Sequence, residues 1–313
     1  MTGFFLISGI FMGWGLGAND SANIFGTGVA SGTIRYRTAI ILTAIFVLIG
    51  AVVEGPKCMD TVGKMSNLGM REAFAASLAA AITIMLLTVL ALPASTSQAI
   101  MGAVVGLGLL NGTFNNWGKL TKVIICWIFT PIGGMVFSII LYKVLAWFMK
   151  FIKSPALFDE IIFLGLLLSG CYGSYALGAN NVANTTGVFV GCKLLTPFNA
   201  ALIGGISIAF GALTYSKNVM MTIGKKITTL DNFSAFVAVL AEAITVHIYT
   251  LVGVPVSTSQ AIVGCVIGIG ILKGTRTVQK KTIIQIFVGW FATPLFAAIL
   301  AVVTIKLMLY FFS

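Results

Sequence analysis

Two long stretches of this chain contain no charged residue, and they constrain its fold more than any other feature. Residues 73–118 and 161–192 lack Asp, Glu, Lys and Arg entirely. A helix that crosses a lipid bilayer needs about 20 mostly apolar residues, so each stretch is long enough for at least one crossing. Only 9% of all residues are charged, against about 25% in soluble domains. The sequence therefore predicts an all-α polytopic membrane protein and argues against soluble enzymes and secreted disulfide scaffolds.

The net charge of +11 does not indicate a nucleic-acid partner. Lys and Arg stand in short groups between the apolar runs, for example Arg35 with Arg37 and Lys150 with Lys153. Basic residues in such loops anchor a membrane protein at anionic lipid headgroups. We therefore expect the lipid bilayer, and no nucleic acid, among the partners.

The chain contains an internal duplication. The segment LGANDSAN from Leu16 returns as LGANNVAN from Leu177, and PASTSQAI from Pro93 returns as PVSTSQAI from Pro255. Two further blocks keep the same order and almost the same spacing, which is the signature of repeated architecture. We assign residues 1–152 to a first transmembrane repeat and residues 153–313 to a second, with a linker near residues 150–160.

Each half holds three ordinary membrane-helix candidates and two interrupted segments. In the first half the ordinary candidates are residues 38–53, 73–92 and 123–142, and the repeated motifs interrupt the chain around residues 17–32 and 93–98. Each half has five crossings if both interrupted segments cross the bilayer, and three if both are re-entrant. Either number is odd, so the second half enters the membrane in the inverted orientation. We therefore predict two inverted-topology repeats of about five membrane segments each, with broken helices or re-entrant hairpins at the midplane.

The first repeated motif offers oxygen ligands for a small cation. Its first copy contains Asp20 and Asn23, and its second contains Asn181 and Asn184. Carboxylate and amide oxygens, beside the carbonyls of an unwound helix, are the hard ligands that sodium requires. Asp20 is the only carboxylate in either copy, and a lone charge in an apolar run marks an ion or proton pathway. A helix N-cap is the alternative role for such residues, but the duplication favours an ion site.

The second repeated motif predicts an anion site without arginine. Each copy places Ser-Thr-Ser-Gln two residues after a proline, where the first N–H groups and the positive dipole end of a new helix can bind an oxyanion. Two copies that face each other suit tetrahedral phosphate, whereas in the alternative the hydroxyls bond only their own backbone. The candidate phosphate ligands are Ser95, Thr96, Ser97, Gln98, Ser257, Thr258, Ser259 and Gln260, of which Ser95 and Ser257 are also candidate sodium ligands. The glycines that follow both blocks predict close helix packing rather than a nucleotide-binding loop.

Three ionisable residues lie outside both motifs. Glu54 ends an apolar run and is a candidate for an additional cation site, with anchoring at the interface as the alternative. Glu242 and His247 lie five positions apart, about 140° around a helix, so they do not suit a shared metal site. His247 could pair with Ser257, but no GxSxG elbow accompanies them, so we expect no catalytic residues and no enzyme.

With these motifs the chain resembles the inorganic phosphate transporter family (PiT). The resemblance rests on GANDSAN from Gly17, GANNVAN from Gly178 and the two PxSTSQ blocks, and it extends over nearly the whole chain. It implies a multi-pass carrier of the cell membrane, often a homodimer, that moves phosphate with sodium or, in other members, with protons or as a metal–phosphate complex. Many relatives carry a long hydrophilic loop between the halves, whereas this chain has only a short linker.

We expect import of inorganic phosphate by alternating access, coupled to sodium and without any other cofactor. Sodium ions at the first motif would offset the cost of moving an anion into a low dielectric. Phosphate would then lie near the midplane between the two Ser-Thr-Ser-Gln helix starts. Three alternatives stay open: a proton-coupled carrier that uses Asp20, Glu54 or Glu242, a carrier of another oxyanion such as sulfate, and an ion channel.

Overall fold

The computed structural model describes residues 2–89, 94–226, 230–274 and 280–311, and every element in these ranges is a helix. The helices are α1 Thr2–Ala30, α2 Tyr36–Glu54, α3 Pro56–Gly63, α4 Met70–Val89, α5 Thr96–Leu110, α6 Trp117–Met149, α7 Pro155–Gly191, α8 Pro197–Lys226, α9 Asn232–Val252, α10 Thr258–Lys273 and α11 Lys280–Phe311. In the described part, seven are long and apolar enough to cross a membrane, namely α2, α4, α6, α7, α8, α9 and α11. The prediction of an all-α polytopic membrane protein is confirmed.

The two halves are inverted repeats that interlock. Helix α1 and its counterpart α7 run in opposite directions, because Gly9 near the start of α1 lies against Phe189 near the end of α7, while Phe25 near the end of α1 lies against Gly170 earlier in α7. In four further contacts a helix of one half packs on a helix of the other half: α1 packs on α8 and α2 on α7, while α5 packs on α11 and α10 on α6. These crossed pairs relate the halves by a pseudo-two-fold axis, as the parity argument predicts.

Glycines of the first motif let the crossed helices touch backbone to backbone. A Cβ atom on Gly17 would stand 1.9 Å from the Ile208 carbonyl oxygen in α8, and a Cβ atom on Gly178 would stand 2.0 Å from the Val47 carbonyl oxygen in α2. No larger side chain fits at either position, so these glycines set how closely one half packs on the other. The predicted packing role of the glycines after the second motif is confirmed at Gly102, Gly106, Gly264 and Gly268.

The second motif breaks the chain, as predicted. In the second half, α9 ends at Val252, Gly253 adopts a left-handed φ of 76°, and α10 begins at Thr258. The new helices α5 and α10 have only 15 and 16 residues, fewer than the roughly 20 that a full crossing needs. In the first half, Pro93 and residues 90–92, including the end of the predicted 73–92 helix, lie outside the described residues.

Two details of the prediction are wrong. The first motif does not unwind its helix, because α1 continues to Ala30 and α7 to Gly191. Its polar side chains find partners that leave the helical backbone intact; Ser21, for example, donates to the carbonyl of Gly17 one turn earlier. The linker is also shorter than predicted, since Pro155 starts α7 with Ser154 as its N-cap, which suits the fixed φ of proline at a first helical position.

Candidate functional site

The two Ser-Thr-Ser-Gln helix starts meet in the interior beside the first motif. Thr96 at the start of α5 donates its hydroxyl hydrogen to Asp20 Oδ2 at 3.1 Å, and Asn23 Nδ2 donates to Ser259 Oγ of α10 at 3.1 Å. Ser259 in turn donates to the carbonyl oxygen of Ala94 at 3.2 Å, which joins the two hairpins directly. The site therefore combines α1 with one short helix from each half.

Both short helices begin with a serine cap inside the protein. Ser95 Oγ accepts from the backbone N–H of Gln98, and Ser257 Oγ accepts from that of Gln260, at 3.3 Å in each case. The remaining N–H groups of a first turn have no partner within the helix. The positive ends of α5 and α10 lie at this cluster, so both helices contribute positive potential beside the Asp20 carboxylate.

The cluster is buried and contains polar atoms that have no partner in the protein. The eight residues of the two helix starts are at most 8% exposed, and the four amide and carboxylate candidates of the first motif at most 4%. More than about 90% of buried polar groups in proteins are paired. The unpaired atoms among these described residues are Asp20 Oδ1, Gln98 Oε1, Asn181 Nδ2, Asn184 Oδ1, Thr258 Oγ1 and Gln260 Oε1. Such a concentration is typical of a ligand site rather than of a packed core.

The four amide and carboxylate candidates fall into two groups. Asp20 and Asn23 on α1 bond directly to the helix starts, as described above. Asn181 and Asn184 form a pair of their own on α7, in which Asn184 Nδ2 donates to Asn181 Oδ1 at 2.8 Å. No hydrogen bond among the described residues links this pair to Asp20, so the structure gives the two copies of the motif different surroundings.

The first asparagine of each motif copy bonds to the helix that precedes the second motif in its own half. Asn180 Nδ2 donates to Thr250 Oγ1 and to the Val254 carbonyl, at 3.1 Å each, and its Oδ1 accepts from the Val256 N–H at 2.8 Å. Its counterpart Asn19 donates to Thr88 of α4 at 2.8 Å. The sequence analysis did not assign either of these two asparagines as a candidate ligand, and it did not predict their contacts with the neighbouring helix.

Glu54 lies apart from the two motifs in a network of its own. Its carboxylate pairs with Lys57 at 3.1 Å and with His247 Nε2 at 2.9 Å. The other nitrogen of His247, Nδ1, is 2.7 Å from the Tyr172 hydroxyl. Both carboxylate oxygens of Glu54 thus face basic groups of the protein, and His247 is engaged here rather than with Ser257.

The structure adds Glu242 to the residues near the site. Glu242 lies in the middle of α9, is 1% exposed, and has a carboxylate oxygen, Oε2, without a partner. The Asp20 carboxylate acts on it electrostatically. Its sequence signal was a lone carboxylate within an apolar run, which marks an ion pathway by default.

Comparisons with known proteins agree with this architecture. A model of the phosphate transporter family matches residues 16–164 and again residues 153–301. A predicted phosphate permease of Methanocaldococcus jannaschii is 32% identical, with 94% of each chain covered. The sulfate permease CysP of Bacillus subtilis is 29% identical over 97% of this chain and 87% of its own. A solved structure of a sodium-dependent phosphate transporter has the same fold, with a TM-score of 0.89, 24% identity and 99% of each chain covered. The family model matches both halves, and the chain therefore belongs to the phosphate transporter family.

Proposed function

We propose that this multi-pass membrane protein imports inorganic phosphate together with sodium across the cell membrane by alternating access. One observation carries the proposal: two capped helix starts from opposite repeats, residues 1–152 and 153–313, meet at Asp20 and Asn23 of α1 in a buried cluster with unpaired polar atoms. Family membership and the phosphate permease of M. jannaschii support the substrate. The name of the solved sodium-dependent transporter supports the coupling ion.

Phosphate suits the cluster because donors and acceptors are both present. The N-termini of α5 and α10 supply backbone N–H groups and positive dipole ends, and the four serines, two threonines and two glutamines supply side-chain partners. Gln98 Oε1 and Gln260 Oε1, at equivalent places in the two halves, have no protein partner. Both are acceptors, so the hydroxyl groups of a phosphate ion between the two halves could donate hydrogen bonds to them.

Sodium is the counterion that we assign to Asp20, with Asn23 beside it and with Asn181, Asn184, Ser95 and Ser257 as further candidate ligands. A carboxylate and an anion about 4 Å apart repel each other by about 4 kcal/mol at an effective dielectric constant of about 20. Among the described residues, no Lys, Arg or His bonds to Asp20 to cancel this repulsion. A bound cation removes the penalty, so that phosphate binds well only after sodium.

Inverted repeats provide a physical basis for alternating access. Because α1 pairs with α8 in the same way as α7 pairs with α2, exchanging the conformations of the two halves would expose the site to the opposite side of the membrane. We further propose that the protein forms a homodimer in the membrane, as the family resemblance implies.

Sulfate transport is the second candidate, favoured by the similarity to the sulfate permease of B. subtilis. The two oxyanions differ in that phosphate carries at least one hydroxyl hydrogen at neutral pH, whereas sulfate carries none. Asp20 Oδ1 is a buried acceptor without a partner, and a phosphate hydroxyl can donate to it. This acceptor favours phosphate over sulfate.

Uptake of labelled phosphate into liposomes that contain the purified protein tests the proposal. We expect uptake when a sodium gradient is imposed alone, no stimulation by a proton gradient alone, and stronger competition from arsenate than from sulfate. Uptake driven only by protons would refute the sodium coupling, and uptake of labelled sulfate in preference to phosphate would refute the substrate.

Two matched variants locate the phosphate site. Gln98→Ala and Gln260→Ala each remove an amide whose Oε1 atom has no partner, and we expect either change to raise the half-saturating phosphate concentration about tenfold, the effect of one lost hydrogen bond to a charged group. Asn115→Ala removes an amide that is exposed and serves as the control. An effect of one glutamine without the other would contradict a site shared by both halves.

A further inference from the structure

Glu242 is a buried carboxylate that neither repeated motif contains. It stands on α9, a helix long and apolar enough to cross the membrane, and is 1% exposed. No hydrogen bond or ion pair is formed by its Oε2 atom. A charged carboxylate at this depth needs a compensating charge, and the protein must obtain it from a ligand if no basic side chain supplies it.

The groups that face Glu242 come from the helices packed against α9, and none of them is basic in the described part of the chain. Asp20 of α1 and Cys265 of α10 interact with it electrostatically. His247, on the same helix, is bound to Glu54 and Tyr172. When both carboxylates are ionised, Glu242 therefore adds to the negative charge of Asp20 instead of neutralising it.

The two carboxylates and a neighbouring hydroxyl each retain an oxygen atom without a hydrogen bond. Thr258, at the start of α10, interacts with the Asp20 carboxylate, although its hydroxyl does not meet the distance and angle of a formed hydrogen bond. Asp20 Oδ1 and Glu242 Oε2 are unpaired as well. All three residues are at least nine-tenths buried, and oxygen atoms from carboxylates and hydroxyls are the ligands that hard cations prefer.

We propose that Glu242 is an acidic ligand for a co-transported sodium ion, bound on the α9–α10 side of Asp20 with the Thr258 hydroxyl as a further ligand. The proposal rests on the sodium coupling proposed above and adds a site outside the duplicated motifs. The counterpart of Glu242 in the first half is the buried Ala80, so the site exists on one side of the pseudo-two-fold axis. Glu242 binds the cation and does not touch phosphate.

The test compares Glu242→Gln with the wild-type protein and with Asp159→Asn, a matched change from carboxylate to amide at an exposed position. The first measurement is the rise in melting temperature that sodium chloride produces over choline chloride in detergent micelles without phosphate. We expect Glu242→Gln to need at least about ten times more sodium for the same rise, the effect of one lost charged ligand. In sodium-free buffer it should be at least as stable as the wild type, because an uncompensated buried charge is gone.

The second measurement is labelled phosphate uptake into liposomes as a function of sodium concentration. We expect Glu242→Gln to raise the half-saturating sodium concentration by a similar factor and to leave the half-saturating phosphate concentration at saturating sodium within about twofold. Glu242→Asp, which keeps the charge on a shorter side chain, should retain part of the sodium affinity.

Unchanged sodium dependence in both measurements would overturn the proposal. It would equally be overturned if Glu242→Gln kept its sodium response but lost the pH dependence of uptake, since Glu242 would then carry a proton. The melting measurement contains no phosphate, so sodium binding at Glu242 can be tested even if the protein transports another anion. Loss of phosphate uptake in the wild type with intact sodium stabilisation would refute the proposed function and leave the Glu242 site standing.

Discussion

Asn180 ties the break between α9 and α10 to the middle of α7, and we expect its removal to loosen this hairpin. Asn180→Ala leaves the carbonyl of Val254 and the N–H of Val256 without their partner, and both residues are completely buried. Each buried group that loses its partner costs about 1–3 kcal/mol, so the two together cost roughly 2–6 kcal/mol. Thr250 adds little, since its hydroxyl keeps a bond to Val246. Hydrogen bonds between membrane helices average only about 0.6 kcal/mol, so we expect a loss near the lower end, about 2 kcal/mol.

Thermal unfolding in detergent micelles without sodium or phosphate measures this loss. Asn184→Ala is the matched control: Asn184 is equally buried, but among the described residues its side chain bonds only to that of Asn181, so no backbone group loses a partner. We expect Asn180→Ala to melt at a clearly lower temperature than the wild type. Asn184→Ala should melt close to the wild type and instead show weaker sodium dependence of phosphate uptake.

Two results would refute this reasoning. An unchanged melting temperature for Asn180→Ala would mean that its three hydrogen bonds do not hold the hairpin. Equal destabilisation by both variants would mean that α7 tolerates no loss of a buried amide, whatever it bonds to. The variant Asn180→Asp adds a check, because a carboxylate keeps the acceptor for Val256 but repels the carbonyl of Val254, and it should also lower the melting temperature.

Three further predictions follow from single contacts. Asp20→Asn should abolish sodium stimulation of uptake in liposomes while the protein still folds, and intact stimulation would show that sodium binds elsewhere. Gly17→Ala should lower the melting temperature by a core-overpacking cost of about 1–3 kcal/mol, since the added Cβ would meet the Ile208 carbonyl; an unchanged melting temperature would show that α1 and α8 can separate freely. Hydrogen bonding to Lys64 holds the pKa of Asp60 below its usual value. The ion pair therefore stabilises the folded protein fully at pH values above the ordinary Asp pKa, and this stabilisation is lost as the pH falls through the lowered pKa of Asp60. Asp60→Asn should therefore flatten the acid limb of a plot of melting temperature against pH, and an unaltered limb would contradict the ion pair.

Much of the fold could be predicted from the sequence because the duplication encodes it. Charge-free runs predict helices in lipid, and an odd number of segments in each copy predicts inversion, which the opposite directions of α1 and α7 confirm. The unwinding of the first motif was wrong for a physical reason. Asn, Ser and Gly favour breaks only when their side chains lack other partners, and here Asn19 bonds to Thr88 on a neighbouring helix. Partners distant in sequence decided the outcome, and no local pattern shows them.

The roles of individual side chains were less predictable than the place of the site. Asn180 and Asn184 belong to one motif and are of one residue type, yet the first holds a hairpin backbone and the second retains an unpaired oxygen. Which of the two a ligand reaches depends on where the break between α9 and α10 lies in space. Spacing along the chain therefore indicated a candidate site in the motif, with Asn184 as a candidate ligand, but it did not predict the hairpin contacts of Asn180.

The departures from pseudo-symmetry indicate how coupling could acquire a direction. Inverted repeats make the two helix starts nearly equivalent, and a site with full two-fold symmetry would bind a cation equally well in the inward-facing and outward-facing states of the proposed cycle. A ligand shifts an equilibrium only by its difference in affinity between two states. Asp20 corresponds in the sequence repeat to Asn181, and Glu242 corresponds to Ala80, so both carboxylates break the symmetry. We infer that these two carboxylates make the two states differ in sodium affinity, and that exchanging the charges between repeats, with Asp20→Asn and Asn181→Asp combined, would alter which state sodium favours.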